Sequence, residues 1–330
     1  MKIGVLQFFS WPGRHGPLEE VYARALERVD IMENGGFDAV WLAEHHFTTF
    51  SVCPSVHMLG VMAAARTKRL RIGTAVSLAA LYHPLRLAEE VALLDMLSGG
   101  RVNWGAGRGF AHSEFHAFGV PPEQSAERFR EAVEIVLQSW TKERLSYKGA
   151  HFDFEDVEVL PKPLQQPHPP VWMAATSETA IDWAASRGFS ILMDPHATFA
   201  DIGAKRRHYT KKLAEAGFSD EGRDIPMARL VALAPTDAKA EEIARRGAQW
   251  IVDSYSGPQH AHRKAMPPRD YYGKEPAQHY VDSVVLHGSP QSMVEKIHRL
   301  REEIGLNYLM CAPLSRESFR LLADEVVPRL

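Results

Sequence analysis

The chain has 330 residues, of which 45% are hydrophobic, and a formal net charge of −3 at pH 7. That length is enough to bury a substantial core, and the near-neutral charge argues against nucleic acid as a partner. The two cysteines, Cys53 and Cys311, are too far apart to form a metal or redox motif, which favours a reducing compartment. No apolar stretch approaches the roughly 20 residues of a membrane span, and the first residues already have the pattern of a strand. We therefore expect a cytoplasmic protein without a membrane partner.

The first third of the chain alternates between short apolar runs and helical patterns. Apolar runs that predict strands begin near residues 3, 37, 70 and 101. Helices are predicted at residues 17–34, 57–65 and 84–97, and glycine pairs at 35–36 and 99–100 end the first and the last. The short connections between these elements predict a parallel sheet.

The rest of the chain continues this alternation with interruptions. Further strands are predicted near residues 171, 189, 227 and 307, with helices at 121–140, 177–186, 199–216, from 236 onward, at 290–303 and near 316–326. Residues 147–160 alternate in polarity as a hairpin does, and residues 161–170 hold five prolines, which predict an extended connector. Residues 254–280 break the pattern.

Eight strands interleaved with helices, in a chain without a change of composition, predict a (β/α)8 TIM barrel. We expect one domain over residues 1–330, with insertions near 141–170 and 254–290. A doubly wound sheet is the alternative, and the absence of an early strand–GxGxxG–helix unit counts against it. In a barrel, the functional residues must lie at the carboxyl ends of the strands.

Glu44, His45 and His46 follow the second predicted strand directly. Burying all three unpaired would be costly, so we expect them where the strand opens into a cavity. Hydrogen-bonded histidines at a barrel rim are one interpretation, and a metal site is a second, although the spacing matches no common ligand pattern. General acid–base catalysis beside a bound cofactor is the third.

Two neighbouring strand ends carry features that suit a phosphate. Thr176, Ser177 and Thr179 place hydroxyl groups and free backbone N–H groups at a helix N-terminus. Arg108 stands between two glycines after the fourth strand, where its cation can approach an anion closely. Taken singly, the hydroxyl residues are more often a simple N-cap, and an arginine in a loop is most often a solvated surface charge. Together they favour a ligand that bears a phosphate.

Several of these stretches resemble bacterial luciferase and its relatives, the luciferase-like flavin-dependent monooxygenases. The resemblance covers roughly residues 1–195 and is carried by GFDAVWLAEHHFT at 36–48, GTAV at 73–76, AEEVALLD at 88–95, SGGR at 98–101, GAGRG at 105–109 and AATSET at 174–179. Beyond that point only the βα rhythm matches. The combination is specific, although no single motif is.

The resemblance implies a barrel that binds reduced FMN, supplied by a separate flavin reductase, and uses O₂ to oxygenate a small organic substrate. It makes His45 the catalytic acid–base group, with His46 beside it in the flavin pocket and Glu44 assisting. It places Arg108 on the FMN phosphate. The remaining cofactor contacts that it implies are Ala75 and Val76, joined by a non-prolyl cis peptide bond, and Ala106, Ala175, Thr176, Ser177 and Thr179.

The sequence departs from the luciferase pattern at three places. Ala106 stands where luciferase has a reactive cysteine beside the flavin, and Ala175 stands where it has a glutamate in the phosphate loop. Met193 and Asp194 replace a Ser-Trp pair after the sixth strand. The last departure argues against a long-chain aldehyde substrate and light emission.

Three rival functions remain open at the level of sequence. A deazaflavin, F420, used for hydride transfer on the same fold would also use the phosphate site. A zinc hydrolase would use Glu44, His46 and His112 as metal ligands. A flavin-binding accessory protein would bind the cofactor without turnover. The apolar helices at 57–65 and 84–97 match the pairing surface of luciferase-like dimers, so we also expect a homodimer.

Overall fold

The structure is a computed structural model that describes residues 1–256 and 273–330. Its strands are β1 (Lys2–Gln7), β2 (Ala39–Leu42), β3 (Arg71–Thr74), β4 (Ser77–Leu78), β5 (Val102–Gly107), β6 (Leu145–Lys148), β7 (Asp153–Val157), β8 (Val171–Ala174), β9 (Ser190–Leu192), β10 (Pro226–Leu233), β11 (Leu286–Gly288) and β12 (Tyr308–Pro313). Its α-helices are α1 (Leu18–Asn34), α2 (Val56–Arg66), α3 (Pro84–Ser98), α4 (His112–Ala117), α5 (Ser125–Thr141), α6 (Glu178–Ser186), α7 (Phe199–Glu215), α8 (Asp237–Ser256), α9 (Pro276–Ser283), α10 (Pro290–Ile304) and α11 (Arg316–Leu321).

Eight of the parallel strands form a ring. Strand β1 pairs with β2 on one side and with β12 on the other, and the sheet continues in the order β2, β3, β5, β8, β9. A β-bridge between Met193 and Met227 then joins the end of β9 to β10, which pairs with β12. The predicted (β/α)8 barrel is confirmed, and the doubly wound alternative is wrong.

Successive side chains along the strands alternate between two cores, which is why the strands are apolar throughout. Leu6, Trp41 and Leu230 belong to the core inside the barrel, whereas the adjacent Val5 and Val40 pack outward against the helices. Trp41 is wholly buried, and its indole N–H donates to the hydroxyl of Tyr308 at 2.8 Å. That hydroxyl in turn donates to Asp38 Oδ2 at 2.6 Å, so the polar groups of Trp41 and Tyr308 are both hydrogen-bonded.

The element ends follow the local signals. Gly99 adopts a left-handed conformation with φ 71° and ends α3, as the glycine pair predicts. Serine or threonine side chains cap the N-termini of α2, α6, α7, α10 and α11. The predicted hairpin at 147–160 is the antiparallel pair of β6 and β7.

The region predicted as an insertion at 254–290 differs from expectation. Helix α8 continues to Ser256, α9 occupies Pro276–Ser283, and β11 pairs with β10 in the main sheet. Three α8 side chains, those of Ala244, Ala248 and Ile251, pack with the core inside the barrel. The sequence missed β11 because it is only three residues long. Part of the predicted insertion, residues 257–272, lies outside the described residues.

Within the described parts of the chain, no helix combines the length and the apolar character that crossing a membrane requires.

Candidate active site

The predicted site residues lie on one arc of the barrel mouth. Strands β2, β3, β5 and β8 are consecutive neighbours in the ring, and all four run parallel. Their carboxyl ends therefore bring together four segments that are far apart in sequence, namely 44–46, 75–76, 106–109 and 175–179.

The Ala75–Val76 peptide bond is cis in the structure, as the resemblance implies. This bond divides the strand predicted to begin near residue 70 into β3 and β4. Thr74 Oγ1 closes the gap because it donates to the carbonyl of Gly105 at 2.7 Å and accepts from the Gly105 N–H at 2.9 Å. A Cβ on Gly107 would lie 2.5 Å from Val76 Cγ2, so only glycine leaves room for Val76 there.

Ala106 and Ala175 are wholly buried and belong to the core between the strands and the helices. Their side chains therefore present no exposed surface at the barrel mouth. Their assignment as cofactor contacts stays a prediction.

Glu44 is buried, and its carboxylate accepts three hydrogen bonds. His46 Nε2 lies 2.9 Å and the Tyr82 hydroxyl 3.0 Å from Glu44 Oε1, and the Leu78 N–H donates to Oε2 at 3.2 Å. Burial, reinforced by the negative charge of Glu44, raises the pKa of Tyr82 well above its ordinary value, so Tyr82 remains a donor. The carboxylate thus joins the end of β2, strand β4 and the loop before α3.

His45 lies in an aromatic pocket beside a second buried carboxylate. Its ring centroid is 5.3 Å from that of Phe50 and 6.3 Å from that of Phe8. Its Nδ1 lies 3.9 Å from Glu114 Oε1, and the same oxygen accepts the backbone N–H of His46 at 2.9 Å. Glu114 is only 3% exposed, so this pairing is shielded from water.

Glu114 is a candidate that the sequence reasoning missed. It lies in the short helix α4, two residues after His112, the histidine that the zinc interpretation uses. The sequence did hold one signal for Glu114, because an acidic residue soon after a glycine-rich strand end can reach the barrel mouth. Only the fold shows that α4 brings Glu114 to His45 and His46.

Arg108 is exposed, and within residues 1–256 and 273–330 it makes no hydrogen bond or ion pair. It follows β5, whose Ala106 pairs with Met173 of β8, so its backbone lies next to the loop that leads into α6. Ser177 caps that helix by accepting the Ala180 N–H at 3.3 Å, and its hydroxyl lies 3.1 Å from that of Thr179. The N-cap interpretation is correct, and an exposed cation stands beside it.

Polar side chains of α2, α3 and β4 form a chain of hydrogen bonds next to the cis bond. His57 Nε2 lies 3.1 Å from Ser77 Oγ, and its Nδ1 lies 3.0 Å from Glu90 Oε2. The hydrogen bond from His57, with a further one from Arg86, lowers the pKa of Glu90 to about 2. Glu90 therefore stays ionised at neutral pH and orients the His57 ring.

The opposite side of the mouth carries a buried cation that no sequence motif indicated. Arg229 is wholly buried, and it donates to the carbonyl of Asp194 at 3.1 Å and lies 4.8 Å from the ring centroid of Phe199. Burial lowers its pKa to about 10. Nearby, the Tyr280 hydroxyl of α9 lies 3.3 Å from His196 Nδ1, which connects α9 to the loop after β9.

The zinc-site interpretation finds no support in this geometry. Over the described ranges 1–256 and 273–330, one group of His, Cys, Asp and Glu side chains is close enough to share a metal ion. It consists of Glu127, Glu131 and His151, and it lies outside the barrel mouth. Glu44 and His46 are hydrogen-bonded to each other, and His112 does not join them.

Comparison with known proteins agrees with this geometry. Residues 1–308 match the luciferase-like monooxygenase family. The chain belongs to this family.

Among its relatives, an uncharacterised protein of Sinorhizobium fredii, y4wF, is 32% identical over 88% of this chain and 84% of its own length. The alkanal monooxygenase alpha chain of Photorhabdus luminescens is 30% identical over 68% of this chain and 62% of its own length. The oxygenase component of the flavin-dependent trigonelline monooxygenase of Acinetobacter baylyi is 31% identical over 54% of this chain and 49% of its own length. The last two alignments span less than two thirds of the relatives.

Solved structures share the whole fold. The monooxygenase RslO1 of Streptomyces bottropensis superposes with a TM-score of 0.85 at 25% identity over 99% of both chains. The oxygenating constituent of 3,6-diketocamphane monooxygenase of Pseudomonas putida superposes with a TM-score of 0.82 at 20% identity, over 100% of this chain and 99% of its own. An F420-dependent secondary alcohol dehydrogenase superposes with a TM-score of 0.79 at 19% identity, over 100% of this chain and 98% of its own. This last likeness demonstrates the common fold alone.

The Glu44 carboxylate gives a testable stability prediction. Glu44→Gln replaces one acceptor oxygen by an amide that cannot accept, so we expect the free energy of unfolding to fall by about 2 kcal/mol. Tyr82→Phe removes one of the three donors and should cost about 1 kcal/mol. Urea denaturation followed by circular dichroism measures both, with the exposed Glu123→Gln as a neutral control. A Glu44→Gln protein as stable as the wild type would contradict this role of the carboxylate.

Proposed function

We propose that the chain is the oxygenase component of a monooxygenase that uses reduced FMN and O₂ to oxygenate a small organic substrate. The observation that carries the proposal is the arc of strand ends, where Arg108 and the α6 N-terminus lie beside the cis Ala75–Val76 bond and the His45–Glu114 pair. Two relatives that are named monooxygenases, at 30% and 31% identity, support the same chemistry.

The donor set fits a flavin phosphate. Arg108 is a cation without a protein partner among the described residues, and Thr176, Ser177 and Thr179 are exposed at a helix N-terminus. Guanidinium groups and helix N-termini are both suited to phosphate oxygens. Bound reduced FMN supplies the electrons that activate O₂. The cis Ala75–Val76 segment would lie against its ring system.

The protein's own groups handle the protons. In this proposal His45 exchanges a proton with the substrate or with reacting oxygen, and Glu114 stabilises the imidazolium form because its carboxylate lies 3.9 Å from Nδ1. Glu44 orients the ring of His46, the residue next to His45, through the 2.9 Å hydrogen bond. Phe8 and Phe50 pack against the His45 ring and limit its contact with water.

The rival cofactor, F420, would place a phosphate on the same residues. The F420-dependent neighbour is 19% identical, below the level at which function is argued from structural likeness, whereas the two relatives above that are named for an activity are monooxygenases. We therefore favour FMN. The reduced flavin would come from a separate reductase in the cytoplasm, because the trigonelline enzyme is named as an oxygenase component.

We further propose a homodimer formed through α2 and α3. Five exposed large apolar side chains lie on these two helices, and they are Met58, Met62, Leu93, Met96 and Leu97. Met58 is 74% exposed and Leu97 is 58% exposed. An apolar patch of this kind on neighbouring helices is typical of a protein interface.

The phosphate assignment is tested with a matched pair of ligands. Riboflavin has the ring system of FMN but lacks the phosphate. Arg108→Gln should lower the affinity for reduced FMN by about tenfold or more and leave the affinity for reduced riboflavin unchanged, because only FMN uses the guanidinium. Anaerobic fluorescence titration measures both constants, and Arg130→Gln is the control. Equal loss for both ligands, or no loss for FMN, would overturn the assignment.

The proposed chemistry is tested with isotopic oxygen. Protein is loaded with photoreduced FMN without air and mixed with ¹⁸O₂ and a substrate panel, and products are analysed by mass spectrometry. We expect ¹⁸O in the product from wild type and none from His45→Ala, whose FMN affinity stays within about tenfold. His116→Ala is the matched control. Substrate-dependent F420 reduction without ¹⁸O would instead favour hydride transfer, and flavin binding without turnover would favour the accessory role.

The dimer proposal gives a simple hydrodynamic prediction. Met58→Glu combined with Leu97→Glu places two charges in the apolar patch, so we expect a monomer, because a charge buried at an interface without a partner is strongly unfavourable. Light scattering after size exclusion measures the mass. Leu160→Glu, at a side chain that is 57% exposed elsewhere, should leave the dimer intact. A wild-type monomer would refute the proposal directly.

A further inference from the structure

A cavity of about 450 Å³ lies on the other side of the barrel mouth from the phosphate arc. It is bounded by α1, by α8, and by the segment that joins β12 to α11, next to the ends of β1 and β10. Its volume falls within the range of pockets that bind small organic molecules. None of Arg108, Ala75, Val76 or Thr176 lines it, so it is separate from the proposed cofactor site.

The inner end of the cavity is apolar and reaches the aromatic pocket of His45. Leu6, Leu230 and Trp250 line this end together with Phe8 and Phe50. The Phe50 ring stacks on Trp250, with centroids 5.2 Å apart and planes 13° apart. Because Phe8 and Phe50 also pack against His45, a molecule in the cavity would touch the rings that contact the proposed acid–base group.

The outer end of the cavity is cationic. Five arginines line it, against a single carboxylate, Glu27; they are Arg24, Arg28, Arg246, Arg316 and Arg320. Glu27 is shared, since Arg316 and Arg320 lie 2.8 and 2.7 Å from the same carboxylate oxygen.

Two of these arginines form no ion pair in the part of the chain that the structure describes. Arg28 and Arg246 make no hydrogen bond or ion pair with the residues that the structure describes, and the Arg28 guanidinium lies 5.2 Å from the ring centroid of Phe319. Burial, together with repulsion from Arg24, lowers the pKa of Arg28. Arg24 and Arg28 stand four residues apart on α1, a spacing at which like charges destabilise a helix. An anionic ligand would relieve this repulsion.

We propose that this cavity is the substrate channel and that the substrate is an organic carboxylate. Its apolar end lies against Phe8 and Phe50, and its carboxylate is held by Arg28, with Arg246 contributing. A planar guanidinium binds a carboxylate with two parallel hydrogen bonds, which suits recognition of this group over a neutral one. This assignment of a substrate class rests on the proposed monooxygenase function.

The test measures binding to the flavin-free protein by calorimetry with two matched pairs of probes. The pairs are decanoate with decanol and 4-phenylbutyrate with 4-phenylbutanol, and decyl phosphate distinguishes a carboxylate site from a general anion site. We expect at least one acid to bind about tenfold more tightly than its alcohol and than decyl phosphate. If neither acid binds more tightly than its alcohol, or if the phosphate binds better than both, the proposal is wrong.

Variants locate the site. Arg28→Gln should remove the preference for the acid and leave the binding of the alcohol unchanged. Arg246 is exposed, so Arg246→Gln folds without difficulty and should reduce the preference in the same direction. Arg130→Gln on α5 is the control, and thermal melting verifies that each variant is folded. An acid preference that survives both Arg28→Gln and Arg246→Gln would overturn the assignment.

The outcomes separate this inference from the proposed function. Acid binding that depends on Arg28, without ¹⁸O incorporation from any substrate, upholds the carboxylate site and overturns the monooxygenase. Incorporation of ¹⁸O into neutral compounds, with no acid preference, upholds the monooxygenase and overturns the substrate class.

Discussion

The buried carboxylate of Glu44 is the interaction on which the active-site arc depends. A carboxylate with 2% exposure is tolerable only when its oxygens are satisfied, and here His46, Tyr82 and the Leu78 N–H satisfy them. These three partners come from different parts of the chain, so the charge holds the end of β2, strand β4 and the loop before α3 in one arrangement. The orientation of the His46 ring follows from it. The neighbouring His45 has a carboxylate of its own, because α4 brings in Glu114.

Close packing at glycines determines the shape of the same arc. Gly105 has no room for a side chain beside the Thr74 carbonyl, and Gly107 has none beside Val76. The Thr74 hydroxyl replaces the strand pairing that the cis bond interrupts. Glycines that let backbones and side chains approach in this way are a common device at ligand sites. Within the GAGRG stretch, Gly105 leaves room for the Thr74 carbonyl and Gly107 leaves room for Val76, while the Arg108 side chain is exposed.

The barrel mouth divides into two regions with different electrostatics. The arc of β2, β3, β5 and β8 carries the cis bond, Arg108 and the α6 N-terminus, whereas the side of β1, β10 and β12 carries the cavity with the cationic rim. His45 lies between them, since Phe8 and Phe50 contact both its ring and the cavity. In the proposed reaction, this division would place one ligand on each side of His45.

The amino-acid sequence by itself determined the barrel and most of the segments that form the arc of strand ends. Apolar runs placed all eight barrel strands within about two residues, because strands buried on both faces read as continuous hydrophobic segments. The resemblance placed His45, Arg108 and the cis bond, which are local in sequence. Glu114, Arg229, strand β11 and the arginine-lined cavity were decided only by the tertiary structure. Each of these depends on side chains that are distant along the chain, or on a pairing too short to leave a periodic pattern. Local signals cannot report which distant charges the fold brings together.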